Sequence, residues 1–313
     1  MFYVEDKSAR STISIYRLVK WIGINRGKFY EWKRRLTTQN KHNGKIPKST
    51  WLLDWEREAI INYARNHRSD YLYYKQEGYR RMTYMMMDEN IVAVSPSTTY
   101  RILKSAGLLN KWNTKKSVSK GTGYKQPLKP HEEWHTDIKY VNFHGTFLFF
   151  IGVLDGFSRY VVHYELRTHM TEYDVEITIQ RALEKFPGES PRIITDNGSQ
   201  YVSKDFENFL KEAGLQHIKT SIAYPQSNGK IERFHWSIES ECINNHSLID
   251  LEDGRKQFDL YINYYNTKRL HSSLFYITPE DFLNDKAEQI LKSRQRKLNA
   301  AVENRKNFWR KQK

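Results

Sequence analysis

Three acidic residues stand out because of the residues around them and the interval between them. Asp137 follows Trp-His-Thr, Asp196 lies in Thr-Asp-Asn-Gly-Ser, and Glu232 lies in Asn-Gly-Lys-Ile-Glu-Arg-Phe. Thirty-five residues separate Asp196 from Glu232. Three carboxylates delivered from separate structural elements can hold two divalent metal ions, an arrangement that promotes in-line displacement at phosphate. These segments therefore predict a site for metal-dependent phosphoryl transfer.

Each acid also has an ordinary structural explanation when it is considered alone. An aspartate in the middle of a strand, as at position 137, is costly to bury unless a charged group accompanies it. Asp196-Asn-Gly is a common turn sequence. Glu232 could simply be an acid in the first turn of a helix, where the helix dipole favours it. The interpretation as a site depends on the occurrence of all three together.

The elements that must position these acids follow from the hydrophobic pattern of residues 131–285. Strands are predicted at 134–141, 146–155, 159–166, 192–195 and 216–220, with helices at 171–186, 204–213 and 230–244. The order βββαβαβα predicts an α/β fold, with a mixed five-stranded sheet and helices on both faces. The first and fourth strands are neighbours in such a sheet, so the three acids can converge at one edge.

Two helix-turn-helix segments are predicted before this region. The first occupies residues 1–40, with helices at 13–22 and 26–35 and a turn around Gly23. An ordinary basic helical hairpin is the alternative for this segment. The second occupies residues 50–110, where Ser95 caps the last helix, Pro96 starts it and Gly107 ends it. The N-terminal part of the chain is thus predicted to be all-α and to bind DNA.

Charge is distributed unevenly along the 313 residues, which carry a net charge of +15. Residues 1–130 hold 26 Lys and Arg against 10 Asp and Glu, residues 131–285 hold 15 against 24, and residues 286–313 hold 10 against 2. A basic arm, an acidic centre and a basic tail suit nucleic-acid contacts on either side of a metal-using core. Residues 111–130 are predicted to be a basic linker, and residues 286–313 a basic helix or a disordered segment that grips DNA.

Cysteine content and hydropathy further restrict the class of protein to which the chain can belong. The single cysteine, Cys242, excludes a disulfide framework and a cysteine-rich zinc site, and cysteine poverty fits a reducing cytoplasm. No signal peptide is visible, and the longest apolar stretch, residues 147–154, is too short to span a bilayer. We expect no membrane partner.

The motifs together resemble the IS3-family insertion-sequence transposases, specifically the OrfB protein with its retroviral-integrase-like catalytic core. The blocks around Asp137, Asp196 and Glu232, together with Tyr-Asn-Thr-Lys-Arg-Leu-His ending at His271, follow the family's core blocks in order, and Gly78-Tyr-Arg-Arg resembles the start of its helix-turn-helix. The resemblance implies a ribonuclease-H-like fold. It also implies two Mg²⁺ (or Mn²⁺) ions held by these three acids, and cleavage and strand transfer of insertion-sequence ends.

The resemblance has further implications for partners. The expected partners are the terminal inverted repeats of the element and the target DNA, and we expect a homo-oligomer on DNA because two DNA ends are joined. An OrfA-type protein could act as a partner or be fused to this chain by frameshifting. The expected location is the bacterial cytoplasm, in association with the nucleoid.

One position departs from the family pattern. Such cores usually carry Lys or Arg seven residues after the glutamate, but Glu239 occupies that position here, and Trp236 replaces another commonly basic residue. Either Lys230, Arg233 and His235 take over the contact with the DNA end, or the recognition of the end differs. His135 is interpreted either as a core histidine or as a residue that supports the acids.

Candidate DNA contacts are basic or hydroxyl side chains in the helical segments, the linker and the core. Those in the helical segments and the linker are Arg26, Lys28, Arg34, Arg35, Arg80, Arg81, Thr98, Thr99, Arg101, Lys104, Lys115 and Lys116, with Thr98, Thr99, Arg101 and Lys104 expected to be exposed. Those in the core are Lys230, Arg233, Arg269 and His271. For Arg269 and His271, local capping and pairing is the alternative.

Two other functions remain open on the sequence alone. A DNA-binding regulator without catalysis would use the two helix-turn-helix segments but would leave the three framed carboxylates unexplained. A nuclease of the same fold would use the acids to hydrolyse DNA and then stop.

Overall fold

The computed structural model describes residues 2–36, 51–70, 77–109, 126–220 and 228–311. The chain divides into two compact units, one formed by residues 1–51 with 309–313 and the other by residues 52–308. In the described part of the chain, no helix is both long enough and apolar enough to cross a membrane.

The smaller unit contains three helices, α1 (Phe2–Ala9), α2 (Ile15–Trp21) and α3 (Arg26–Arg34). Val4, Val19 and Phe29, one from each helix, form its core. Gly23 has a φ of 71° in the turn between α2 and α3, and the Asn25 side chain accepts a hydrogen bond from Gly27 N–H at 2.9 Å. The two predicted helices and their turn are confirmed, whereas α1 was not predicted.

A second helical group follows, composed of α4 (Asp54–Asp70), α5 (Tyr79–Asp88) and α6 (Pro96–Ser105). Its core is filled by methionines of α5, by Ile60 of α4 and by Ile102 of α6. The Ser95 hydroxyl accepts a hydrogen bond from Thr98 N–H at 3.3 Å, and Gly107, with a φ of 68°, follows the end of α6. The predicted cap and stop are therefore both present.

The five-stranded sheet has the order β3-β2-β1-β4-β5. Its strands are β1 (Glu133–Phe143), β2 (Thr146–Asp155), β3 (Val161–Arg167), β4 (Arg192–Thr195) and β5 (His217–Lys219). β1, β2 and β3 are antiparallel neighbours, while β4 runs parallel to β1 and β5 parallel to β4. The predicted neighbourhood of the first and fourth strands is confirmed, and this topology is that of a ribonuclease-H-like fold.

Helices cover both faces of the sheet, as predicted. On one face α7 (Glu172–Lys185) and α8 (Lys204–Glu212) pack on a core that includes Ile151 and Val153. On the other face α9 (Gly229–Glu241) and α10 (Leu251–Thr267) pack on a core that includes Phe150. Adjacent residues of β2 thus enter different cores, because side chains alternate along a strand.

After α10 the chain forms the short helix α11 (Pro279–Leu283) and the long helix α12 (Ala287–Lys311). Of the two alternatives for the basic tail, the structure therefore shows the helix. Arg305 is 5 % exposed and forms a two-pronged ion pair with the Glu56 carboxylate of α4, with contacts of 2.8–3.0 Å. Arg294 pairs in the same way with Asp88 at the end of α5. These two arginines stabilise the fold and are not available to grip DNA.

We predict that Arg305→Ala lowers the free energy of unfolding by about 3–5 kcal/mol, because it leaves the buried Glu56 carboxylate without its partner. Lys306→Ala is the matched control, since Lys306 pairs with Glu303 where both side chains are 40–59 % exposed, and such a pair contributes less than about 1 kcal/mol. Urea unfolding of the three proteins measures both effects. Equal stability of the two variants would contradict the role assigned to Arg305.

Candidate active site

The pairing of β1 with β4 brings two of the predicted acids together. His135 lies opposite Ile194 in the parallel register, so the same register continued by two residues sets Asp137 beside Asp196, just past the end of β4. Paired residues of parallel strands point to the same face, so both carboxylates lie on the face that α9 covers. The sequence predicts that these acids belong to neighbouring strands, and the register of β1 with β4 sets them side by side.

The turn after β4 holds Asp196 in place through backbone contacts. Gly198 N–H donates a hydrogen bond to Asp196 Oδ1 at 2.9 Å, and the Asn197 side-chain amide donates to the Thr220 carbonyl at 3.0 Å. A Cβ atom on Gly198 would lie 3.0 Å from Asp196 Oδ1, so a larger residue would displace the carboxylate. The Asp-Asn-Gly sequence thus has a positional role here as well as a turn-forming one.

Helix α9 supplies the third acid from an exposed position at the border of its buried face. Ile231, Phe234 and Ile238 are buried at helical spacing against the sheet, and Glu232 is exposed. One turn further, His235 Nδ1 lies 3.5 Å from Asp137 Oδ2. The helix therefore passes alongside Asp137, and Glu232 enters the same region as the two aspartates.

The electrostatics show that the three charges affect one another. The pKa of Asp137 is raised to about 7, first by burial and then by the negative charges of Asp196 and Glu232, while the hydrogen bond that Ile138 N–H donates acts in the opposite direction. Burial lowers the pKa of His235 to about 3, with Lys139 as the second cause, so His235 is neutral at physiological pH. A neutral imidazole beside Asp137 does not compensate the acidic cluster.

The chemistry of the donor set fits a hard divalent cation. Carboxylate oxygens are the ligands that Mg²⁺ prefers, and a positive charge would relieve the repulsion that acts on Asp137. Among the residues that the structure describes, however, no three His, Cys, Asp or Glu side chains are grouped closely enough to surround an ion. The acids thus share one region without forming a closed ligand set.

Glu239, which departs from the family pattern, has a cationic partner on the sheet. Lys139 Nζ lies 2.7 Å from Glu239 Oε2, and the two side chains are 17 % and 49 % exposed. Lys139 follows Asp137 by two residues on β1, so it points to the same face as Asp137. Strand β1 therefore supplies Lys139 on the face that carries Asp137, and Lys139 forms an ion pair with Glu239 of α9.

The structure corrects several predicted DNA contacts. Thr99 was predicted to be exposed but is fully buried, where its hydroxyl hydrogen-bonds to Thr83 at 2.9 Å, because α5 and α6 pack through these residues. Arg269 is 6 % exposed and forms a two-pronged ion pair with Glu241 Oε1 and Oε2 at 2.6 and 2.7 Å. For Arg269 the alternative of local pairing is the one that the structure shows.

The other candidates occupy varied environments. The Lys230 side chain is 8 % exposed, with Nζ 3.9 Å from Glu133 Oε2, and Arg81 lies 3.5 Å from Glu77. Lys115 and Lys116 lie outside the described residues. Thr98 and His271 are partly exposed, and the following candidates are exposed: Arg26, Lys28, Arg34, Arg35, Arg80, Arg101, Lys104 and Arg233.

Four residues near the site were missed, given other roles or left with two interpretations by the sequence analysis. His235 was considered as a DNA contact, whereas its ring faces Asp137. Lys139 could have been found, because residues two apart on a strand share a face. Arg159 follows the β2–β3 turn and has a φ of 64°, and no local sequence signal connects it with α9. His135 is fully buried, and a Cβ atom added to Gly156 would lie 2.9 Å from its Nε2 atom. This close packing favours the interpretation of His135 as a core histidine.

We predict that Asp137→Asn stabilises the protein in metal-free buffer at pH 8, by roughly 1–3 kcal/mol. The raised pKa of Asp137 means that the folded state retains a proton that the unfolded state has lost, so stability falls as pH rises from about 4 to about 7. The gain from the substitution should therefore shrink toward pH 5. Thermal unfolding across this pH range measures it, with Asp205→Asn in α8 as an exposed control. A gain that is the same at every pH would rule out the charge explanation.

The part of the chain that holds the three acids is similar to known proteins. The integrase core domain family matches two overlapping stretches, residues 127–225 and 213–279, which include all three acids. InsK of insertion sequence element IS150 from Escherichia coli K12 is 29 % identical over 157 residues, covering 50 % of this chain and 56 % of that protein. The transposase of IS904 from Lactococcus lactis is 30 % identical over 155 residues, covering 49 % and 61 %.

A third relative, the transposase InsF of IS3A from Escherichia coli K12, is 31 % identical over 159 residues, covering 50 % of this chain and 54 % of InsF. The matches thus span little more than half the length of these relatives. Among solved structures, the catalytic core domain of HTLV-2 integrase in complex with magnesium aligns with 50 % of this chain and 97 % of that chain, at 17 % identity and a TM-score of 0.41. Residues 127–279 match the integrase core domain family, and about half of the chain is similar to the transposases of IS150, IS904 and IS3A.

Proposed function

We propose that this protein cleaves DNA strands at the ends of an insertion sequence and transfers them to target DNA. The observation that carries the proposal is the convergence of Asp137, Asp196 and Glu232 on one face of an integrase core domain. Basic segments before and after an acidic core support DNA as the substrate. The transposase names of the matched relatives support the same reaction class.

We further propose that Asp137, Asp196 and Glu232 would hold two Mg²⁺ or Mn²⁺ ions. Such ions lower the pKa of an attacking water or 3′-hydroxyl and stabilise the leaving 3′-oxygen. The fit rests on the all-carboxylate donor set and on the mutual repulsion of the three charges, which a cation would relieve.

The residues of the chain keep these carboxylates in position. The N–H groups of Ile138 and Gly198 each donate to one aspartate oxygen and thereby fix the direction in which its remaining oxygens point. His235 limits the movement of the Asp137 side chain from the other side. This mechanism needs no covalent protein–DNA intermediate, so no tyrosine or serine nucleophile is assigned.

The exposed basic side chains of α3, α5 and α6 are proposed to contact the DNA backbone and bases. Those of α3 are Arg26, Lys28 and Arg34, and Arg80, Arg101 and Lys104 belong to the second helical group. Because two DNA ends must be joined, we propose a homo-oligomer on DNA, with an OrfA-type protein as a further partner or fusion. A DNA substrate and a single cysteine suit the bacterial cytoplasm as the place of action.

We predict that Asp137→Asn, Asp196→Asn and Glu232→Gln each lower Mg²⁺-dependent strand cleavage by at least about a thousandfold, since each removes a charged metal ligand. Binding to the same duplex should change less than about threefold. Cleavage is followed on a labelled duplex that contains the end of the element, and binding by fluorescence anisotropy.

Glu212→Gln is the control for these variants, because Glu212 is an exposed acid at the end of α8 and lies outside the site. Its cleavage rate should equal that of the unaltered protein. Retained cleavage by any of the three site variants would remove that residue from the proposed metal ligands.

A second prediction separates strand transfer from hydrolysis alone. When the unaltered protein receives a pre-cleaved end with a free 3′-hydroxyl and a supercoiled plasmid, we expect joined products in Mg²⁺. Sequencing of the junctions measures joining directly. Cleavage without joining would favour a nuclease of the same fold, and binding without either reaction would favour a regulator.

A further inference from the structure

A strongly basic pocket of about 440 Å³ lies along α9, the helix that carries Glu232, within the larger unit. One wall is formed by Lys230, Arg233 and Trp236 of α9, which flank Glu232 in the sequence. The remaining walls bring in Arg81 of α5 and Arg159 from the β2–β3 turn, along with Arg269 after α10. Four arginines and one lysine from distant parts of the sequence thus surround one cavity.

Acidic groups balance only part of this charge. Arg269 is paired with Glu241, Arg81 lies 3.5 Å from Glu77, and Lys230 lies 3.9 Å from Glu133. Arg233 is exposed at the pocket wall and has no acidic partner within ion-pair distance among the described residues. Guanidinium groups bind phosphate through paired N–H donors, so an anion of this kind would complete the cluster.

The pKa of His271, which also lines the pocket, is lowered by burial and by the positive charges around it. This pKa falls to about 3, because of burial first and then because of Arg269, Arg159, Arg81 and Arg233. An imidazole in this position stays neutral at physiological pH and adds no charge of its own. The guanidinium groups from all four elements therefore act on the same small volume.

Trp236 gives the pocket an aromatic wall. It is 51 % exposed, whereas its helix neighbours Phe234 and Ile238 are buried in the core. An indole face at the edge of a cationic cavity can stack on a nucleobase of any type. A volume of this size lies within the range of pockets that hold small ligands.

We propose that this pocket binds one unstacked nucleotide of the DNA strand adjacent to the cleavage site, with its phosphate at Arg233 and Arg81 and its base on Trp236. The inference rests on the proposed function, because it takes DNA as the substrate that reaches Glu232. The helix that carries Glu232 then also holds the strand end, and the second helical group contributes Arg81 to the same nucleotide.

The test compares two labelled DNA probes, a blunt 20-base-pair duplex and the same duplex with a three-nucleotide single-stranded 3′ overhang. Binding to the full chain is measured by fluorescence anisotropy in Ca²⁺, without requiring any reaction. We expect the unaltered protein to bind the overhang probe about tenfold more tightly than the blunt probe, because stacking of one base contributes on that order. Trp236→Ala and Arg233→Ala should each remove most of this preference, with a smaller loss of affinity for the blunt probe.

Two further variants separate stacking from general effects on folding. Trp236→Phe should keep most of the preference, because phenylalanine also offers an aromatic face. Trp55→Ala removes a tryptophan of α4 that is 56 % exposed and does not line the pocket, and it should keep the full preference. Equal affinity of the unaltered protein for both probes would overturn the proposal, as would an equal loss for both probes in Trp236→Ala. Either result would leave the cleavage test of the three acids unaffected, so the two proposals can fail separately.

Discussion

The candidate site depends on how α9 packs on the sheet, because the helix must bury its apolar side and still expose Glu232. Ile231, Phe234 and Ile238 fix its rotation about its own axis by entering the core on the β2 side. That rotation leaves Glu232 exposed and turns His235 toward Asp137. A change in the buried side chains of α9 would therefore move the third acid as well as loosen the core.

A buried ion pair fixes the far end of the same helix. Glu241 accepts hydrogen bonds from Arg269 and from the Tyr261 hydroxyl, so the end of α9 is tied to α10 and to the segment that follows it. Such a pair is strongly destabilising when one partner is removed. Arg269 is thus held where it both anchors α9 and forms a wall of the basic pocket, which explains why a residue resembling a phosphate contact is almost fully buried.

Opposite charges are concentrated on the two sides of α9. Asp137, Asp196 and Glu232 repel one another on one side, and cations from four elements crowd the pocket on the other. Burial and the neighbouring acids raise the pKa of Asp137, and a cation would relieve that repulsion. Contacts away from the site stabilise the larger unit, for example the ion pair of Arg305 with Glu56 that joins α12 to α4.

The sequence alone determined which three acids form the candidate site and in what order the strands and helices around them follow. Hydrophobic periods of two and of 3.6 residues, caps and turn residues are local signals, so they can be read without the fold. It also predicted that the strands of Asp137 and Asp196 are neighbours. It could not determine that Thr99 and Arg269 are buried, since their spacing and type equally suit exposed DNA contacts. The pairing of Lys139 with Glu239, and the approach of Arg81 and Arg159 to α9, were decided only by tertiary structure. These contacts join residues from different elements, and their distances depend on how whole helices pack on the sheet.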